Sequence, residues 1–251
     1  MNSRTLAAAL LLLLPGGLLA ASAGEEDYAA GMKAAAAKDY AAALPRLEAA
    51  VTADPDSLRY ASDYRETVIA GHAYDRCLAF FEKLVAAHPQ SAAAVLNHGY
   101  AYVDKIPAAG SITQVILANT ALGLFTRSIE LKRTWLALYT RGNSYLYWPK
   151  IFGRTPLGVA DLEEAVAMSK GVEKRSYHVR AYIALGEAYW KLDDLAKARA
   201  TWSAALQLFP DNPVLKTLLA KEGDDLKDFI ESELDPNKRV DTDLREVWSQ
   251  P

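Results

Sequence analysis

The amino-acid sequence predicts an all-α fold: a right-handed solenoid of about five helix-turn-helix repeats, finished by C-terminal capping helices. Three observations carry this expectation. "LEAAVTADPD" and "FEKLVAAHPQ" end alike, with Pro55 and Pro89 34 residues apart. "WSAALQLFPD" closes the same way at Pro210 and Asp211. Between these stops, small and aromatic residues recur at places where paired helices must approach closely. A unit of this length cannot bury its apolar faces alone and must stack on copies of itself.

The first element reads as a leader rather than as part of the fold. Arg4 supplies a short positive start, residues 6–14 are apolar, and Pro15, Gly16 and Gly17 follow. Ala21, Ser22 and Ala23 then offer a small-x-small cleavage site before Gly24. That order is the signature of a secretory signal peptide over residues 1–23, and the apolar run is short for a membrane span. The expectation is an exported chain, periplasmic or secreted, cleaved after Ala23 and not inserted in a membrane afterwards. Cys77 is the sole cysteine, so an exported chain must be stabilised by packing rather than by an internal disulfide.

The repeat domain is expected over residues 24–222. Unit one places Gly31, Ala43, Leu47, Ala50 and Pro55 in register, with Pro45 tolerable if it falls in the first turn of the second helix. Unit two has Tyr64, Cys77, Phe81, Leu84 and Pro89, with Arg65 where a small residue is usual. Unit three runs through Gly99, Tyr102, Ala121, Phe125 and Ser128, with about ten extra residues around "KIPAAGSITQ". Unit four has Gly142, Tyr145, Gly158, Leu162 and Ala165, with a four-residue expansion inside "YWPKIFGRTPLG". Unit five is the most regular: Tyr182, Leu185, Gly186 and Tyr189, then Ala198, Trp202, Ala205 and Pro210. Residues 223–251 are expected to form a capping helix, marked by Leu226, Phe229 and Ile230, and an extended tail that Trp248 docks onto the body.

This pattern, most fully in unit five, resembles the tetratricopeptide repeat over residues 24–212. The resemblance implies a helical scaffold whose concave face, lined by the first helix of each unit, binds other proteins. In that register the inward places are Tyr28 and Met32, Arg59 and Glu66, and Leu96 and Tyr100. They continue with Tyr139, Asn143 and Tyr147, then Arg180, Glu187 and Trp190. Trp148 and Phe152 in the expanded turn join Tyr147 as candidate binding residues, because three aromatics exceed what a turn requires. Tyrosine, tryptophan and arginine are the types that dominate binding energy, and such a groove suits an extended or helical segment. Family members that grip a terminal carboxylate use lysines and asparagines on this face, whereas Asn143 has Tyr139 beside it instead of a lysine.

Chemistry other than binding finds little support. The chain carries 28 cationic against 31 acidic residues, a net charge of −3, with no basic run to track nucleic acid. Gly153 and Gly158 have half of a phosphate loop's spacing, but Val159 and Ala160 stand where Lys and Ser or Thr are needed. His72, His88, His98 and His178 have no metal-ligand spacing, so neither a metal nor a cofactor is expected. His98 reads as a hydrogen-bonded core histidine. Cys77 near His72 raises the thought of thiol catalysis, yet it occupies a small buried place of the repeat. The acidic pairs at 193–194 and 224–225 sit at turns and helix starts, where they cap amides.

A second likeness concerns the unit-four turn. "PKIFGR" followed by "GVADLEEAVAM" is similar to the P-x-x-F-G-G turn and following helix of the periplasmic repeat subunit of tripartite (TRAP) transporters, with Arg154 replacing the second glycine. It implies an extracytoplasmic accessory protein that binds a small apolar ligand. The leading expectation is an exported, non-catalytic scaffold for a protein or peptide partner, with that accessory protein as the alternative.

Overall fold

A computed structural model describes residues 16–235, 238 and 240–249. The leader's Arg4, its apolar run and Pro15 lie outside the described residues. The architecture is an all-helical solenoid of paired helices. Unit one is α1 (Gly16–Ala36) with α2 (Tyr40–Ala53), and unit two is α3 (Leu58–Ala70) with α4 (Tyr74–Ala87). Unit three is α5 (Ala92–Lys105) with α6 (Ser111–Leu131), and unit four is α7 (Trp135–Leu146) with α8 (Thr155–Lys170). Unit five is α9 (Val179–Lys191) with α10 (Leu195–Leu208); α11 (Pro213–Ala220), α12 (Gly223–Glu233) and the single turn α13 (Arg245–Trp248) follow.

Each boundary has a local cause. Asp39, Ser57, Ser91, Thr134, Asp194 and Asn212 each accept a bond from the amide three residues on, which satisfies one of the orphan donors of a helix start. In units one, two and five, the turn between paired helices passes through one left-handed residue: Lys38, His72 or Asp193. Units three and four replace that tight turn with inserted chain.

Close approach is set by the small residues. A Cβ on Gly186 would lie 2.0 Å from Nε1 of Trp202, whose indole is fully buried and donates to the Ile183 carbonyl. Gly31, Gly99 and Gly142 hold the same place against Leu47, Phe125 and Leu162. Gly158 answers from the second helix of unit four, where a Cβ would meet the Gly142 carbonyl at 2.8 Å. It is therefore a helix-packing residue. The apolar core forms two bodies, one centred on units one and two and one running from unit three to α12, which meet at α5.

Several expectations need correction. α2 begins at Tyr40, so Pro45 lies in its second turn, and its missing N–H deprives the Ala41 carbonyl of a ladder partner. Both residues are exposed, so water replaces that bond. Much of the unit-three insertion is helix rather than turn: α6 runs for 21 residues and projects Ile112 and Ile116 into solvent. His98 is buried, but neither ring nitrogen has a partner among the described residues; it packs by its faces between Phe81 and Tyr102. From Val240 the tail is extended only to Leu244, after which Asp243 accepts the Arg245 amide and starts the turn α13.

Candidate functional site

The inner surface of the solenoid is built by α3, α5, α7 and α9, and the C-terminal tail lies across it. At the centre is Arg65, which replaces the small residue of its unit and is completely buried. Its side chain leaves the α3–α4 interface and reaches toward α5. There Nε donates to Asn97 Oδ1 at 3.1 Å and one terminal nitrogen to Asp104 Oδ2 at 2.9 Å. The other donates to the Thr242 backbone carbonyl at 2.9 Å, and the guanidinium lies 4.7 Å from the Tyr100 ring centroid. Asp104 spends its second oxygen on the Thr242 hydroxyl. A buried ion pair is tolerable only when its remaining hydrogen-bonding capacity is met, and here the tail meets it.

The rest of the tail continues along α3. The Leu244 amide donates to Ser62 Oγ at 3.1 Å, and Arg245 donates to Asp63 at 3.1 Å. Thr242 and Leu244 are buried, while Val247 and Trp248 pack half-buried against the core. Trp248 does dock the tail, with the Arg59 guanidinium 6.0 Å from its ring. From unit five, Arg180 reaches Asp241 at 3.4 Å and Glu246 at 3.2 Å.

The residues expected on one face fall into three groups. Tyr28, Arg59, Tyr100 and Arg180 gather at the tail. The Tyr28 hydroxyl donates to Asp63, and Arg59 covers the Tyr28 ring at 4.2 Å while pairing with Glu25 at 3.0 Å. Burial raises the pKa of Tyr28, as it does that of Tyr100, whose hydroxyl meets Thr140. Glu187 and Trp190 face the capping helix instead. Glu187 is buried, and that burial, with Glu233 nearby, pushes its carboxyl up to about 8. Trp190 lines a hollow with Pro149, Lys150 and Leu234.

The third group, Asn143, Tyr147, Trp148 and Phe152, lines an apolar pocket of about 310 Å³. Tyr139 stands apart from it, stacked on Trp135 with ring centroids 5.1 Å apart. Opposite the aromatic turn stand Val103 and Ile106 of unit three and Val115 and Leu122 of the lengthened α6. The two departures from the repeat therefore meet each other. Trp148 is buried, with Arg154 3.6 Å over its ring and Phe152 edge-on to it, and Phe152 is 57% exposed. Val240 of the tail also lines the pocket.

Sequence reasoning missed Ser62, Asp63, Asp104 and Thr242. Arg65 was visible as a break in the repeat, but its partners lie up to 177 residues away. Cys77 is buried, and desolvation raises its thiol pKa, opposite to the shift a nucleophilic thiolate needs. Among the described residues, no group of His, Cys, Asp and Glu is placed to hold a metal ion, and no helix is long and apolar enough to cross a membrane.

Residues 179–212 match the tetratricopeptide repeat family. No curated protein matches the chain. Among solved structures, a thermophilic tetratricopeptide protein of Thermus thermophilus aligns with TM-score 0.55 at 22% identity, covering 79% of this chain and 97% of that one. A tetratricopeptide repeat protein from Parabacteroides merdae aligns with TM-score 0.52 at 16% identity, covering 92% of this chain and 81% of that one. Unit five matches the tetratricopeptide repeat, and the chain as a whole has the all-helical fold of paired helices that such repeats build.

Proposed function

We propose that the chain is an exported, non-catalytic scaffold that binds a protein or peptide partner through its concave face. One observation carries this reading: the inner helices hold the backbone of an extended segment. Arg65 donates to a main-chain carbonyl and Ser62 accepts from a main-chain amide two residues further on. Main-chain bonds give affinity for extended chain, and the side chains on either side of them supply specificity. Tyr28, Arg59 and Arg180 border that line and are types that anchor interfaces. Export rests on the leader at residues 1–23, with cleavage after Ala23 and release into the periplasm.

Photocrosslinkers placed at Arg59 and Arg180 test the binding reading in cells that export the chain. A specific protein adduct in the periplasmic fraction, absent when the crosslinker sits at solvent-facing Lys83, supports it. Co-purification of a small molecule with no protein adduct would sink it. N-terminal sequencing of the exported chain tests the leader, with Gly24 as the expected first residue.

A second reading is favoured by the pocket between units three and four. A transporter accessory protein that carries a small apolar ligand fits its volume and lining, since ligand sites are concave, mostly apolar and marked by a few polar groups. Asn143, Ser144 and Gln114 are such groups.

A further inference from the structure

The groove that the scaffold reading assigns to a partner is filled by this chain's own residues 240–248. They run antiparallel to α3: Thr242 faces Arg65, Leu244 faces Ser62, Arg245 faces Asp63, and Trp248 lies beside Arg59. The contacts are selective. Asp104 accepts the Thr242 hydroxyl, so a methyl there would leave a buried carboxylate oxygen without its donor. Leu244 is buried in the face of α3, Asp63 selects a cation at 245, and Arg180 selects acids at 241 and 246.

Two features set this segment apart from a permanent part of the core. Beside the apolar seat of Leu244, the surface beneath it carries an unusual share of buried polar and charged groups: Ser62, Asp63, Arg65, Asn97 and Asp104. Core layers avoid such groups, whereas a face that is periodically opened to water tolerates them because solvent then takes over their hydrogen bonds. The tail's hold at its rim is also thin. Its rim acids are exposed and screened, and the Trp248 indole N–H is buried with no partner among the described residues.

We propose that residues 240–248 are a built-in competitor, and that the external ligand is an extended segment of a partner protein with the pattern acid–Thr–x–Leu–Arg–acid, which binds by displacing the tail. The proposal rests on the scaffold reading and names the partner's chemistry. Tethering gives the tail an effective concentration of about 1 mM, so a partner must bind tightly or arrive in quantity to open the groove. Occupancy by the tail thereby keeps the scaffold closed until the matching sequence is present.

The test uses the full chain and a fluorescein-labelled peptide, VDTDLREVWS, with binding read by anisotropy. Asp241→Arg with Glu246→Arg, both at exposed rim positions, loosens the tail while leaving the groove intact. Thr242→Val with Leu244→Ala loosens its buried anchor instead. The expected result is peptide binding at least about tenfold tighter in either released chain than in the wild type. A peptide with Val in place of Thr is expected to lose about tenfold, and a scrambled peptide of equal charge to fail. Equal affinity in wild-type and both released chains, or a scrambled peptide that binds as well as the native order, overturns the proposal. So does absence of binding in both released chains when circular dichroism reports an unchanged fold. A crosslinked concave-face partner that the peptide does not displace would refute this proposal and spare the scaffold reading. Tight peptide binding with no partner recovered would do the reverse.

Discussion

Units two and five use one repeat position in opposite ways. Both pass through the same left-handed turn residue, His72 or Asp193, and both end at a proline after the second helix. In unit five the position is Gly186, and the Trp202 ring occupies the space a side chain would need. In unit two it is Arg65, and α3 and α4 touch far less than the helices of any other unit. Tyr64, Phe80 and Phe81 fill the widened space with a ring cluster, while the guanidinium leaves it for α5 and the tail. The difference teaches that a departure from a repeat pattern is not decay when its side chain is fully satisfied elsewhere. Unit five spends the position on pairing its own helices, and unit two spends it on holding a segment from the far end of the chain.

Substitutions that move each unit toward the other break or sharpen this comparison. The largest effect is expected from Arg65→Ala, which installs a residue usual at that place. If unit two were only a degenerate repeat, the change would be harmless. Because it strands Asp104 as a buried carboxylate, stability in urea should fall by about 3–5 kcal/mol. Adding Asp104→Asn should recover part of that loss, and strict additivity would contradict coupling between the two.

The reciprocal change, Gly186→Ala, puts a methyl into the Trp202 indole and should cost about 1–3 kcal/mol by overpacking. Measured thermal stability equal to the wild type would mean that the helices of unit five separate as readily as those of unit two.

Glu187 sharpens the picture through pH. Its folded pKa, about 8, lies above its unfolded value of 4.5, so the folded chain holds an extra proton between those limits. The stability that the protonated carboxyl contributes is complete below the unfolded value and is lost as pH rises through about 8. Glu187→Gln should flatten that slope and raise stability near pH 8. An unchanged urea midpoint across that range in both proteins would show that Glu187 is solvated rather than buried beside α12.

The smallest effect is expected from Thr242→Val, about 1 kcal/mol for the lost bond to Asp104. Global unfolding should hardly register it, but limited proteolysis should cut the tail faster. Cleavage at the wild-type rate would mean that the tail does not depend on this anchor.

The fold was legible because its information is local and periodic. Gly186 with Trp202, Gly99 with Phe125, and the prolines at 55, 89 and 210 lie within single units, where spacing alone reveals packing. The unit-four turn was legible too, including Gly158 as a packing residue. The lengthened α6 was not: Ile112, Val115 and Ile116 are exposed, so burial does not organise them into a readable stripe. Nor was the division of the inner face. Arg59 and Arg180 meet the tail across long sequence separations that carry no periodic signal. Arg65 marked the spot without naming its partners.

The central claim is that the C-terminal tail occupies the concave face, held at Arg65. Amide hydrogen exchange at Leu244 in the intact wild-type chain tests it most directly, since that amide donates to Ser62 beneath the tail. The account predicts exchange at least about 100-fold slower than in the free peptide VDTDLREVWS, with much of the protection lost in Thr242→Val. Exchange of Leu244 at the free-peptide rate in a folded wild-type chain would contradict it.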